Sequence, residues 1–200
     1  MKYIIFGIPG VGKTSVVNGV KLKTKIRHLH WGDMTFETAK KMGLVTNRDE
    51  LRILDLETQR RLRVVVAKEM MEISKQEPNV LVETHAAVHT PQGYWPGLSI
   101  NTLEEFKPDC FIYLYARPEH VFERRLKDDT RWRKDETTID NVTEALNINR
   151  VIVVTYAVLV SGTFIEVENK EGELEYAINT ISDLIAKGKL DTPVKRIFGI

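Results

Sequence analysis

The sequence is poor in cysteine, in long apolar runs and in net charge, and each shortage removes a class of explanation. Cys110 is the only cysteine and lies inside the apolar run CFIYLY, so a disulfide framework and a cysteine metal centre are both excluded. A buried strand thiol of this kind fits a reducing compartment. No stretch reaches the roughly 18 uninterrupted apolar residues of a membrane span, and the amino terminus carries no apolar leader core. A cytoplasmic protein that does not enter a membrane is the expectation. Lys and Arg number 29 against 28 Asp and Glu, which argues against a globally basic nucleic-acid binder and makes any basic site a local concentration. Internal repeats and low-complexity segments are absent as well.

What is present fits one domain. The chain has 200 residues, 42% of them apolar. Short apolar runs recur at Tyr3 to Phe6, Ile26 to Trp31, Asn79 to Thr84, Cys110 to Tyr115 and Gly162 to Val167, giving five strand candidates. Between the second and third, Leu62, Val65, Val66, Met70 and Ile73 fall at helical spacing. Similar patterns run from Thr138 to Val160 and from Glu171 to Lys187. Strands separated by helices imply a parallel, buried sheet with helices on both faces, and ligands on such sheets bind at the carboxyl ends of the strands. The region from Thr84 to Pro108 lacks a strong core pattern and reads as a structured loop over the sheet edge, with a short helix at Asn101 to Phe106.

The first strand runs straight into GIPGVGKT. Gly7, Gly12, Lys13 and Thr14 meet the pattern of a glycine, four residues and Gly-Lys-Thr, and the helical VVNGVK follows. A phosphate loop is the consequence, with Gly7, Ile8, Pro9, Gly10, Val11, Gly12, Lys13, Thr14 and Ser15 wrapped around a nucleoside triphosphate. Lys13 would reach the β and γ phosphates, and the Thr14 hydroxyl would ligate Mg²⁺. A GTPase is disfavoured, because no aspartate begins a DxxG and Asn169-Lys170-Glu171-Gly172 lacks the aspartate that reads guanine.

Two further clusters bear on whether phosphate is moved. Between Glu123 and Asp135, Arg124, Arg125, Lys127, Arg131, Arg133 and Lys134 crowd together. Such a run is commonly a solvated helix face. Behind a phosphate loop it suits a closing lid whose arginines neutralise a transferring phosphoryl group and exclude water. RNA binding through the same cluster lacks a stacking platform beyond Trp132. An acceptor pocket has two candidate segments. In the first, Gly32-Asp33 ends the second strand and caps a helix, while Arg48 and Arg52 share one face of a second short helix and could clamp a phosphate. In the second, Thr84, His85, His89, Thr90, Tyr94 and Trp95 could line a base and a phosphate. His85 and His89 are four apart, yet no third zinc ligand has clear spacing. Glu83 ends the third strand where an acid could orient Mg²⁺ through water.

Taken in order, GIPGVGKT, WGDMTFETAKKMGLVTNRDELRIL, ETHAAVHTPQGYWPGL, ERRLKDDTRWRKD and TYAVLVSGTFIEV resemble the archaeal type of adenylate kinase over nearly the whole chain. The resemblance implies a P-loop NTPase three-layer fold, a single domain over 1–200, a monophosphate-binding segment near 32–56 and a short lid near 124–136. It implies reversible transfer from Mg·ATP to AMP giving two ADP. Arg124, Arg131 and Arg133 would lie on the phosphates, and Asp33, Arg48 and Arg52 in the AMP pocket. The adenine of ATP would lie near Glu168 to Lys170. A homotrimer assembled through the Thr138 to Val160 helix is also implied. Two positions depart from the family pattern: Glu83 stands where relatives usually have Asp, and His89 where they tend to carry Arg or Lys.

Overall fold

A computed structural model describes residues 1–90, 93–127 and 138–188 of the chain. The five expected strands are all present and form one parallel sheet in the order β2-β3-β1-β6-β7. They comprise β1 (Lys2–Phe6), β2 (Arg27–His30), β3 (Val80–Thr84), β6 (Cys110–Tyr115) and β7 (Thr163–Glu168). Tyr3, Ile4, Ile5, Phe6, Leu81, Val82, Phe111 and Ile112 are essentially inaccessible to solvent. That two-sided burial is why β1, β3 and β6 appear as near-continuous apolar runs, whereas the edge strands β2 and β7 alternate.

The helices cover both faces. α1 (Lys13–Thr24) packs on α7 (Leu174–Lys187), and a Cβ on Gly19 would come 2.3 Å from Ile178 Cδ1, so the glycine leaves room for the Ile178 side chain as it stands. Elsewhere α2 (Trp31–Lys41) packs on α3 (Leu56–Lys75), α3 on α4 (Ile100–Phe106), and α5 (Pro118–Leu126) on α6 (Ile139–Val160). Local chemistry starts several of the helices. Asp55 accepts from Thr58 N at 2.9 Å, Ser99 and Thr138 cap α4 and α6 in the same way, and Pro118 begins α5, where its missing N–H costs nothing.

Three expectations need correction. His30, not Asp33, caps α2: its Nδ1 accepts from Asp33 N at 3.1 Å, and Asp33 lies within the first turn. Trp31 accordingly belongs to the helix rather than to the second strand. The second short helix is a single 3-10 turn over Asp49–Arg52 with Arg48 at its cap. The loop after β3 contains an unforeseen antiparallel hairpin, β4 (Ala87–Thr90) with β5 (Gly93–Pro96).

That hairpin is held from below. Tyr156 of α6 donates to Ala86 O at 3.0 Å, and its oxygen accepts from Leu98 N at 3.2 Å; Asn149 Oδ1 accepts from Ala87 N at 3.0 Å. Gly97 N bonds to Ala86 O at 2.7 Å, and a Cβ on Gly97 would sit 2.0 Å from His85 O, so no side chain fits. Length and composition would let α6 cross a membrane. In this fold, however, it covers the sheet with Val142, Ala145, Val153 and Ala157 and spends Asn149 and Tyr156 on the loop.

Candidate active site

The phosphate loop links β1 to α1 at the carboxyl edge of the sheet. Gly10 and Gly12 take φ of 92° and 83°, a left-handed backbone open mainly to glycine. A Cβ on Gly12 would also meet Asn169 Nδ2 at 2.4 Å. The loop's carbonyls are bonded to side chains from elsewhere. Arg125 donates to Pro9 O from Nε at 2.8 Å and from a terminal nitrogen at 2.6 Å. Arg124 donates to Gly10 O at 3.4 Å and pairs with Glu171, and Asn169 Nδ2 donates to Val11 O at 2.8 Å. Thr14 and Ser15 are exposed on the first turn of α1, which carries no acidic residue and presents its positive end to the loop.

Beneath the loop lies a buried charged cluster. Lys13 Nζ is 3.0 Å from Glu83 Oε1, and His28 Nε2 donates to Glu83 Oε2 at 3.1 Å. Burial pushes the Lys13 ammonium below the usual lysine range, while the neighbouring carboxylate resists that shift. Burial alone would raise the Glu83 carboxyl, but the bond from His28 and the charge of Lys13 outweigh it and hold the group at about 2. His85 is brought down to about 4 by burial and by the Lys13 charge. The imidazole is therefore neutral near pH 7, and its Nδ1–H donates to Gly7 O at 3.3 Å.

The acceptor-side candidates stand along the same edge. His30 is in register with Glu83, and Phe6 with Thr84, so the ends of β2, β3 and β1 bring Asp33, Glu83, Thr84, His85 and Gly7 into one row. Arg48 donates to the Asp33 carboxylate and lies over the Phe36 ring at 5.8 Å. Burial would raise the Asp33 carboxyl, yet the bond from Arg48 and the neighbouring His30 hold it below its usual range. Trp95 faces Arg63 rather than a vacant pocket, with the guanidinium 5.4 Å from its ring centroid.

The fold thus draws Lys13, Thr14, Ser15, Glu83, Thr84, His85, Asp33, Arg48 and Arg124 to one edge. Arg131 and Arg133, and the side chains of Arg52 and His89, lie outside the described residues. Four participants were not foreseen from sequence. His28 falls only within an apolar strand, Arg125 only within a cluster, Asn169 only within a failed guanine motif and the segment expected near the adenine, and Tyr156 only within the helical pattern from Thr138 to Val160. Alternation in RHLH, which puts His28 and His30 on one side of β2, is the single signal that was available.

Comparison with known proteins gives the family and the fold. A protein-family profile described as an AAA domain matches residues 6–142. The adenylate kinase of Methanopyrus kandleri is 35% identical over 188 residues, covering 92% of this chain and 98% of that protein. That of Thermoplasma acidophilum is 38% identical over 186 residues, covering 93% and 99%. That of Methanocaldococcus jannaschii is 37% identical over 187 residues, covering 91% and 96%. Among solved structures, a shikimate kinase from Acinetobacter baumannii superposes with a TM-score of 0.56 at 19% identity over 94% of each chain. One from Bacteroides thetaiotaomicron gives 0.53 at 13% identity, over 93% of this chain and 98% of that one. These two likenesses establish the α/β phosphate-loop fold.

Proposed function

The chain belongs to the adenylate kinase family and is a phosphotransferase that interconverts ATP plus AMP with two ADP, and on that premise we propose how its own residues divide the reaction. The observation that carries the assignment is the row of strand ends that sets the Asp33–Arg48 pair, the Lys13–Glu83 pair and the phosphate loop side by side. A donor cradle and an acceptor pocket on adjacent strand ends can hold two phosphates in line.

In this reading the N–H groups of residues 7–15 and the start of α1 bind the triphosphate of ATP. Lys13 turns from Glu83 towards the β and γ oxygens and offsets charge that spreads over the transferring group. The Thr14 hydroxyl and the Glu83 carboxylate are hard oxygen donors, the chemistry Mg²⁺ prefers, and Glu83 is ionised down to about pH 2. Together with nucleotide oxygens and water they would hold the ion, which would supply positive charge to offset that of the phosphates. Asp33, Arg48 and Arg52 orient AMP, with Thr84, His85 and His89 beneath its phosphate. Arg124, Arg131 and Arg133 close over the site from a lid spanning 124–136 and exclude water, within one domain over 1–200 whose monophosphate segment runs from 32 to 56. The adenine of ATP lies against Glu168 to Lys170.

We further propose a cytoplasmic enzyme that uses neither nucleic acid nor membrane as a partner. It assembles as a homotrimer through the outer face of α6, where Val151 and Val158 are 63% and 73% exposed. The test of the reaction is ADP formation from Mg·ATP with AMP, CMP, UMP, GMP or no acceptor in parallel. ADP production that depends on AMP supports the assignment. Release of ADP indifferent to every monophosphate would leave a nucleotide-binding loop and remove the transfer reaction.

A further inference from the structure

We infer that Arg125 and Asn169 are positioning residues that set the peptide orientation of the phosphate loop, turning its N–H groups onto the donor's phosphates. The inference rests on the phosphate loop being the ATP site.

A peptide unit is a rigid plane in which the carbonyl of one residue and the N–H of the next point in opposite directions. Holding a carbonyl outward therefore holds the following N–H inward. Three successive carbonyls of this loop are held by side chains: Pro9 O by Arg125, Gly10 O by Arg124 and Val11 O by Asn169. The planes fixed at Pro9 and Val11 carry the N–H groups of Gly10 and Gly12, which are thereby directed away from the clamp. The Gly10 plane is held less closely, at 3.4 Å, and the Val11 N–H it carries turns back to Ile8 O, also at 3.4 Å.

Both clamps are built on firm ground. Asn169 is 4% exposed, and its own N–H bonds to Tyr115 O at 2.8 Å, extending the β6–β7 ladder. Its amide sits where a Gly12 Cβ would be, so side chain and glycine fit as a pair. Arg125 leaves α5 with two donors on one oxygen and lies over Gly10, where an added Cβ would be 3.2 Å from its Cγ. The charge-assisted fork and the neutral amide bond together resist rotation of these planes. An anion-binding backbone preorganised in this way does not have to be ordered when ATP arrives. The clamp comes from the stem of the lid segment on one side and from the loop after β7 on the other.

The experiment is isothermal titration of the full chain and of Asn169→Ala, Arg125→Met and Arg125→Lys with ATP, tripolyphosphate and AMP, alongside thermal unfolding. Loss of a hydrogen bond of this kind corresponds to about a tenfold weakening. We expect Asn169→Ala and Arg125→Met each to weaken tripolyphosphate and ATP by about that factor. AMP affinity should stay within about twofold, and Arg125→Lys should recover part of the loss by keeping one donor. Tripolyphosphate affinity equal to the parent's overturns the clamp, as does an equal loss for ATP and AMP accompanied by a lowered Tm, which marks a purely structural role. If Asn169→Ala does not fold, the contrast between Arg125→Lys and Arg125→Met decides. A parent chain that binds neither ATP nor tripolyphosphate overturns the donor site itself, an outcome visible before any variant is made.

Discussion

The ammonium of Lys13 and the carboxylate of Glu83 form an ion pair at 3.0 Å with both side chains only 8% exposed. A pair this dry is destabilised far more by losing one partner than by losing both. Lys13→Met should lower turnover by about a thousandfold and cost on the order of 3 kcal/mol of stability, because Glu83 is left charged and buried. Lys13→Met with Glu83→Gln should regain much of that stability and none of the activity. Urea denaturation and ADP formation on the single and double variants measure both; full activity in Lys13→Met would remove the lysine from the donor site.

Stability should fall on acidification in two windows. His85 has a folded value of about 4 against 6.5 when free, so the unfolded chain binds its proton first. Its contribution, roughly 3 kcal/mol, is complete above about pH 6.5 and is lost as pH falls towards 4. Glu83, held at about 2 against 4.5, is likewise depressed; its contribution is present above 4.5 and disappears as pH falls through 2. His85→Asn keeps a donor for Gly7 O without titrating, so its denaturation midpoint should change less between pH 6.5 and 4 than the parent's. Parallel profiles would show that His85 is not the group responsible.

At Gly12 a methyl group meets two obstacles, the left-handed backbone and the Asn169 amide at 2.4 Å. Gly12→Ala should abolish measurable ATP binding while AMP binding persists. Adding Asn169→Gly removes the collision but leaves the backbone cost of about 1–2 kcal/mol and gives up the bond to Val11 O, so binding should return only in part and should be compared with Asn169→Gly alone. Calorimetry on these variants separates steric from conformational effects.

The acceptor side offers a kinetic discriminator. Arg48 and Asp33 are bonded to each other, and Asp33 follows β2, which β3 separates from the strand that leads into the phosphate loop. Arg48→Ala should raise KM for AMP by about tenfold or more, the size of a charge-assisted hydrogen bond, with KM for ATP unchanged. An effect on ATP alone would move the pair to the donor site.

Tyr156→Phe tests the platform under the hairpin. The hydroxyl accepts from buried Leu98 N and has one hydrogen to give to Ala86 O or Leu98 O; its loss removes the acceptor from Leu98 N, while Ala86 O keeps Gly97 N. A destabilisation of about 1–3 kcal/mol is expected, with a modest rise in KM for AMP because the loop bearing His85 loosens. Thermal unfolding and steady-state kinetics report the two effects separately.

The parts of this molecule legible in the sequence are those written in consecutive residues. Strands buried on both faces are largely apolar, so β1, β3 and β6 appear as near-continuous apolar runs, with the polar Glu83 and Thr84 at the end of β3, and the phosphate loop is a fixed spacing within one segment. The β4–β5 hairpin escaped because the residues between its strands, Pro91 and Gln92, lack the Asn-Gly or Asp-Gly signal of a tight turn. The cap of α2 was misplaced because histidine is a rare cap and Asp33 a common one, and the choice depended on where β2 stopped.

Sequence alone determined the sheet, the phosphate loop and the family. Tertiary structure decided which groups meet. Lys13, His28 and Glu83 come from three elements up to 70 positions apart, and Asn169 reaches Val11 across 158. Periodicity records which side of a strand or helix a residue occupies, whereas these contacts depend on the order in which strands lie in the sheet. Placing β2, β3 and β1 side by side is what gives a partly buried histidine an acid to hold, and gives that acid a lysine.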